Sequence, residues 1–264
     1  MLYNLYRISD AGRAKEKIAG ATKINCLKNF ISVFGTDGLT VFADNCSHET
    51  ISEIQELGLE PIFTSLGNSG SLKYIVDFAI AYFKDNDQVY LVEDDYWHLP
   101  LAKEALLEGL QIADYVTLYN NPDKYISYNN GGHNPIITNN SEKGRIYLSK
   151  TCHWKTTNST TMTFATHVSV LKTDKKLIWE FTQTKIPDDF ELFLSLTKNL
   201  HLPFIKTKRL RKVLWKVVKN YFGVKKRVLI TALPGFSTHL ETAYLGPLTD
   251  WGHLIKQTQK KQLA

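Results

Sequence analysis

The chain reads as an α/β fold, a parallel sheet covered by helices on both faces that passes into a mixed second half. Three observations predict it. Apolar strands alternate with amphipathic helices of about three turns through the residues before Pro100. The fourth strand, within Gln88 to His98 (QVYLVEDDYWH), is uninterruptedly apolar and ends in three consecutive acids, Glu93, Asp94 and Asp95. Beyond Pro100 the texture changes to a long Asn-, Gly- and Pro-rich stretch and then to Thr-rich segments.

In order, Leu2 to Ile8 is a first strand and Ala21 to Phe34 a helix, with Ile24, Leu27, Phe30 and Ile31 on one face. Leu39 to Ala43 is a second strand ending in Asp44 and Asn45, and Glu49 to Leu57 is helical. Glu60 to Thr64 is a third strand running into a Ser- and Gly-rich turn. Ser71 to Phe83 is a helix with Leu72, Ile75, Val76 and Ala79 inward. Val89 to Val92 then lacks polar residues, as a strand buried on both faces does. Leu101 to Ala113 is a helix, Tyr115 to Tyr119 a strand, and Asn120 to Asn140 a long loop. Arg145 to Leu171 reads as antiparallel strands, and Pro187 opens a helix carrying Phe190, Leu192, Phe193 and Leu196. No repeat or linker composition forces a domain boundary.

At 264 residues, 43% hydrophobic and 22% charged, the chain has the composition of an ordinary soluble protein. No apolar run is long enough to span a bilayer, and the N-terminus lacks a signal-peptide core. A cytoplasmic location is therefore expected. Cys26, Cys46 and Cys152 are odd in number and widely spaced, which favours buried free thiols over a disulfide framework or thiolate zinc site. Trp97 and Trp154 are expected in the core. The net charge of +6 is local, because Lys206 to Arg227 holds ten of the 32 basic residues and no acid. Without those ten charges the chain would be net negative.

Three adjacent carboxylates at the carboxyl end of a strand lie where open α/β sheets bind ligands. They repel one another unless a cation stands between them, and hard oxygen ligands suit Mg²⁺ or Mn²⁺, which in turn hold a diphosphate. The bland alternative is a solvated acidic turn. Gly67 and Gly70 permit close backbone approach, and the helix start beside Asn68 and Ser69 favours anions. Ordinary turns account for the same residues. Asp10 to Gly20, with Arg13, Lys15 and Lys17, is either a mobile flap over a diphosphate or a solvated loop.

Val92-Glu-Asp-Asp-Tyr96 resembles the DxD element of GT-A fold nucleotide-sugar glycosyltransferases, with Glu93 and Asp95 in the outer positions. Pro187-Asp-Asp-Phe-Glu-Leu192 resembles the Glu/Asp-Asp-x-x-Leu segment that opens a helix beneath the acceptor in inverting family 2 enzymes. Pro234-Gly-Phe-Ser-Thr-His239 lies where many GT-A enzymes place a late loop histidine that completes the metal shell. The three occur in the family's order, and the resemblance covers Leu2 to Glu241. It implies a single catalytic domain with a GT-A type, Rossmann-like mixed sheet flanked by helices and a C-terminal basic amphipathic helix. Residues 1–98 form the nucleotide-sugar-binding half, 99–204 the acceptor half, and 205–264 the basic helix and extension. Asp189 matches the catalytic base, and Asp188 beside it is the lesser candidate. Asp95 and His239 are expected to hold Mn²⁺ or Mg²⁺, while Arg7, Ser9, Asp44, Gly67, Asn68, Ser69, Glu93 and Asp94 are expected around the nucleotide.

Leu210, Val213, Leu214, Val217, Val218, Tyr221 and Phe222 recur at helical spacing, with Arg209, Arg211, Lys212, Lys216 and Lys219 between them. This basic amphipathic helix is either a surface helix with a solvated face, a dock for an anionic membrane at the inner face, or a tracker of DNA phosphates. The leading reading is inverting transfer from a nucleotide sugar, with a UDP-sugar as the first choice. The acceptor is a surface glycan, a lipid-linked precursor or a hydroxymethylated base in phage DNA. A sugar nucleotidyltransferase and a non-enzymatic nucleic-acid-binding module are the alternatives.

Overall fold

The computed structural model describes residues 1–12, 16–127, 130–131, 144–199, 215–220 and 222–262. The first half follows the alternation: β1 (Leu2–Ser9), α1 (Lys23–Phe34), β2 (Leu39–Asp44), α2 (His48–Glu56), β3 (Ile62–Thr64), α3 (Gly67–Tyr82) and β4 (Gln88–Glu93). α1 starts where the Thr22 hydroxyl accepts from the Asn25 N–H, and Ser47 caps α2 through Thr50 in the same way. The second half carries β5 (Tyr96–His98), α4 (Ala102–Gly109), β6 (Tyr115–Thr117), β7 (Ile146–Leu148), β8 (His153–Thr156) and β9 (Phe164–His167). It continues with α5 (Val168–Glu180), α6 (Asp189–Thr197), a helical segment α7 at 215–220, β10 (Leu229–Leu233), β11 (Ser237–His239) and α8 (Trp251–Gln262).

Nine strands form one mixed sheet in the order β3-β2-β1-β4-β9-β6-β10-β8-β7, and β11 pairs with β5 in a separate two-stranded ribbon. β1 is parallel to both β2 and β4. The chain leaves β1 in one direction for β2 and returns on its other side as β4, which creates a switch point between β1 and β4. Side chains alternate faces along these strands. Tyr6, Ile8, Tyr90 and Val92 pack with Leu27, Phe30 and Phe34 on one face. Leu5, Val89 and Leu91 pack with Leu72, Val76, Leu171 and Phe193 on the other. Both faces are dry, which explains why the β4 sequence has no polar residue between Gln88 and Glu93.

Trp97 and Trp154 are core residues, as expected, 2% and 0% exposed. Trp154 lies against Gly109, where an added Cβ would stand 2.9 Å from the indole ring. The three cysteines are free, Cys26 and Cys152 buried and Cys46 half-buried. No helix among the described residues is long and apolar enough to cross a membrane.

Three elements differ from the sequence expectation. The strand reading of Arg145 to Leu171 ends early, because Val168 opens α5. Val168, Leu171, Asp174 and Ile178 are buried at helical spacing, and that packing outweighs the β-preference of the Thr- and Val-rich run. Gly67, Asn68 and Ser69 form the first turn of α3 instead of preceding it. His239 stands on a strand, β11, where a loop was expected.

The basic segment is partly neutralised by the fold. Arg227, with a side chain 3% exposed, forks its Nε and Nη2 onto the Asp174 carboxylate at 2.8 and 3.0 Å. It also reaches Asp114 at 3.2 Å, and Tyr115 donates its hydroxyl to Asp174. Lys216 pairs with Asp188 and Lys219 with Glu180. In α7 Val217 is buried against Leu194 and Phe190, while Val218 is half exposed and Phe222, just beyond the helix, lies in solvent. Leu210, Val213, Leu214 and Tyr221, the rest of the expected apolar face, lie outside the described residues.

Removing one partner of a buried, forked ion pair leaves the other charge stranded in a dry interior. Asp174→Ala is expected to lower the unfolding free energy by about 3–5 kcal/mol in urea denaturation, and a change within about 0.5 kcal/mol, the size typical of surface substitutions, would contradict this role.

Candidate active site

The carboxyl ends of β1, β2 and β4 converge at one edge. The register sets Arg7 beside Glu93 and Ser9 beside Asp44. Two groups of residues form there, one on each side of the sheet.

On the α3 side, Arg7, Asn68 and Glu93 rim a small cleft floored by Leu5, Leu72, Ile75, Leu91, Val92 and Met162. An apolar floor with a few convergent polar groups is the general form of a small-molecule site. Asp44 organises this side without facing it. It is fully buried, and its Oδ2 receives Arg7 Nη2 at 2.8 Å. Its Oδ1 accepts from the Leu66 N–H at 2.7 Å, the Gly67 N–H at 3.3 Å and the Thr64 hydroxyl at 3.1 Å. Burial pushes its carboxyl up, but these donors together outweigh burial and hold it below the usual range. The helix start expected to receive a ligand anion is therefore occupied by the protein's own carboxylate. Gly67, at φ +69, takes the left-handed conformation at this bend, where a glycine carries no Cβ penalty.

On the other side the turn after β4 carries Asp94 and Asp95. Asp94 accepts from the Ser9 N–H at 2.8 Å, and burial, reinforced by Asp95, pushes its carboxyl up to about 6. Asp95 Oδ2 lies 3.1 Å from His239 Nε2 and 3.9 Å from Lys17 Nζ. The Glu241 N–H donates to His239 Nδ1 at 3.3 Å, so a neutral ring carries its proton on Nε2, toward Asp95. The β5–β11 ribbon builds this corner by placing His239 opposite Tyr96, and the Leu240 N–H ties back to the Asp95 carbonyl. The far end of β5 is clamped by Asn29 of α1, whose side-chain amide bonds both the N–H and the C=O of His98. The His98 ring, held neutral by burial that drives it down to about 3, shares a bond with the Tyr90 hydroxyl.

Among the described residues no three His, Cys, Asp or Glu side chains gather around one point as metal ligands. Asp95 and His239 offer a pair. Their 3.1 Å separation suits neighbouring positions on a small divalent cation, whose ligands at about 2.1 Å stand roughly 3 Å apart. Ligation through Nε2 would move the ring proton to Nδ1 and open the long Glu241 contact. The pair could thus hold two neighbouring positions on such a cation.

Asp189 is the first residue of α6, and its Oδ1 accepts from the Phe190 N–H at 2.7 Å. Burial pushes its carboxyl up to about 6; Glu191 adds to this and Lys124 opposes it. Lys124 is buried, bonds Asn158 Oδ1 at 2.7 Å and the Ser159 hydroxyl, and lies over the Phe190 ring. Asp188 turns instead to Lys216, at 2.8 Å. No hydrogen bond or ion pair among the described residues joins Asp189 to Asp95 or His239. Tyr96 packs beside the corner, its ring meeting those of His239 and Tyr119 and its hydroxyl donating to Thr161. The structure therefore unites Asp94, Asp95 and His239 at one corner, while Asp189 interacts with Phe190, Glu191, Lys124 and Asp188.

Sequence reasoning did not single out Lys124, Asn158 or Asn29. A lysine closing a Pro-Asp-Lys turn and an asparagine inside an apolar helix carry no signal of their tertiary partners.

No known family model matches the chain, and no curated protein sequence matches it. Solved structures similar to it include a CMP:2-keto-3-deoxy-manno-octonic acid synthetase complexed with CTP, at 13% identity and a TM-score of 0.45, with 99% of this chain and 98% of that one covered. Another is residues 1–349 of TarS from S. aureus, at 14% identity and a TM-score of 0.38, covering 84% and 72%. A third is the 2-C-methyl-D-erythritol 4-phosphate cytidylyltransferase of Francisella tularensis, at 10% identity and a TM-score of 0.38, covering 98% and 99%. At these scores the likenesses carry no argument about what this chain does.

Arg7 and the N–H groups at the start of α3 lose their shared acceptor if Asp44 is truncated. Asp44→Ala is expected to cost about 3 kcal/mol of stability by urea titration. Fluorescence-monitored unfolding that overlays the wild-type curve would show that the turn holds without it.

Proposed function

We propose that the chain is an inverting glycosyltransferase that moves a sugar from a nucleotide-sugar donor, a UDP-sugar in the simplest case, to a hydroxyl acceptor. The observation that carries this is the meeting of Asp94, Asp95 and His239 at the β1–β4 switch point, next to the Arg7–Asn68–Glu93 cleft. In this reading the cleft receives the base and ribose, and the Asp95–His239 corner receives the diphosphate. Mn²⁺ or Mg²⁺ bound at that corner supplies Lewis-acid stabilisation of the leaving diphosphate. Asp189 accepts the proton of the attacking hydroxyl. A carboxyl raised to about 6 is a stronger base than an ordinary aspartate and is still ionised at neutral pH. Asp188, paired with Lys216, fixes the start of α6. The acceptor is a surface glycan, a lipid-linked precursor or a modified base in DNA. A role for the exposed Lys225 and Lys226 and for the cations of 206–212 in drawing a polyanionic acceptor or an anionic membrane belongs to the same proposal.

A second reading, a sugar nucleotidyltransferase, is favoured by one observation. The β1–α1 connection brings Lys17 to Asp95, and Lys23 at the start of α1 binds Asp10 and the Ser9 carbonyl, so cations line the edge where a triphosphate would lie. Product analysis separates the readings. Glycosyl transfer releases a nucleoside diphosphate from a nucleotide sugar, whereas nucleotidyl transfer releases pyrophosphate from a nucleoside triphosphate and a sugar phosphate.

Asp189→Asn is expected to bind the donor as the wild type does and to lose about 10²–10⁴-fold in kcat. Full turnover by this variant would remove Asp189 from the reaction. Because the base works only when deprotonated, the wild-type rate should fall as pH drops through about 6. A profile flat down to pH 5 in a constant-ionic-strength buffer series would contradict that assignment. Asp95→Ala should abolish the gain in donor affinity that Mn²⁺ confers, read by calorimetry with and without the ion.

A further inference from the structure

Within the segment after β1, for which the sequence offers a flap or a solvated loop, residues 16–21 form a fixed strap. The Ile18 N–H donates to the Leu240 carbonyl and the Thr242 N–H to the Glu16 carbonyl, so the backbone on both sides of Lys17 is bonded to the end of β11. Ile18 and Ala21 pack with Cys26, Trp97, Leu240, Trp251 and Ile255 in a small core of their own. Lys17 is thus held at the acidic corner from both flanks. Its side chain is only 23% exposed, yet among the described residues its ammonium donates no hydrogen bond. Its contact with Asp95 Oδ2, at 3.9 Å, is an ion pair beyond hydrogen-bond reach, and His239 already approaches that oxygen at 3.1 Å. Lys23 provides a contrast nearby, its ammonium bound to the Asp10 carboxylate at 2.7 Å and to the Ser9 carbonyl. An ammonium carries three donors, and those of Lys17, at the partly exposed end of a side chain held in place by its backbone, are open to a ligand. Such a group is poised for an anion that arrives from outside.

We infer that Lys17 is a phosphate-binding residue, held by the strap to donate to the terminal phosphate of a nucleoside diphosphate at the Asp95–His239 corner. The inference rests on the reading that this edge holds a nucleotide and adds a specific contact to it. Lys17 meets charge that a nucleoside lacks, so its contribution is confined to the phosphates. Replacing it leaves the Arg7–Asn68–Glu93 cleft untouched.

The test is calorimetric titration of the wild type, Lys17→Met and Lys17→Arg with uridine, UMP and UDP, each in Mg²⁺ and in EDTA. Met keeps the length and apolar stem, and thermal unfolding checks that the strap stays in place. Lys17→Met is expected to weaken UDP by at least about 10-fold under both ionic conditions, the strength of hydrogen bonds to a charged group, and to leave uridine unchanged. Lys17→Arg is expected to retain most of the UDP affinity. Unchanged UDP binding in Lys17→Met would overturn the inference and leave Lys17 as a counter-charge to Asp95. An equal loss for uridine and UDP would overturn it as well, as the mark of a structural role. A wild type that binds uridine but gains nothing from the phosphates refutes Lys17 alone, and one that binds none of the three refutes the nucleotide site and this inference together.

Discussion

The pairing of β5 with β11 is the constraint on which the acidic corner depends. Glu93, Asp94 and Asp95 would form a solvated turn if Tyr96, Trp97 and His98 were not held in place. A three-residue strand has little stability of its own, and β5 survives because it is bonded on both edges, by β11 along one and by the Asn29 amide along the other. That arrangement fixes where Asp95 points and supplies His239 from the far end of the chain. It also sets the half-buried Asp94 among protein groups at the sheet edge. The Ser9 N–H, Asp95 and the lysines of the next segment all act on it within a few ångströms of the sheet edge.

Much of this fold was legible because its signals are local. Uninterrupted apolar runs such as Val89 to Val92 mark strands dry on both faces. A strand that ends in three acids marks the sheet edge where open α/β folds bind ligands. The motifs around Asp95, Asp189 and His239 were readable as short patterns. Their relation was less so, since the structure joins Asp95 to His239 and gives neither a hydrogen bond or ion pair with Asp189 among the described residues. What escaped the sequence depends on distant partners. Three-residue strands such as β5 and β11 have no period to detect. The Thr-rich run before α5 has the composition of a strand, and only burial of Leu171, Asp174 and Ile178 makes its end helical. The strap around Lys17 is held by backbone hydrogen bonds, which leave no trace in side-chain identity.

The basic segment shows how charge counted along a sequence differs from charge presented by a fold. Arg227 is consumed by Asp174 and Asp114 in the interior, Lys216 anchors the start of α6, and Lys219 meets Glu180. The acids that balance these cations come from α5 and α6 and from the residue before β6, far from them in sequence. A segment with no acid of its own is therefore partly neutral in place. The interaction of Lys216 with Asp188 also links α7 to the residue next to the proposed base.

The small core shared by Ile18, Trp97, Leu240 and Trp251 has a practical consequence for anyone handling the protein. Trp251 is 2% exposed and its indole N–H donates to the Gly246 carbonyl, so α8 is seated firmly against the β5–β11 ribbon and the strap. Trimming the C-terminus back past Asp250 would remove Trp251 and Ile255, which pack behind the strap and the β5–β11 ribbon. Tags and fusions that pull on the tail would have the same reach, and the integrity of this terminus belongs among the first things to secure when preparations differ in potency.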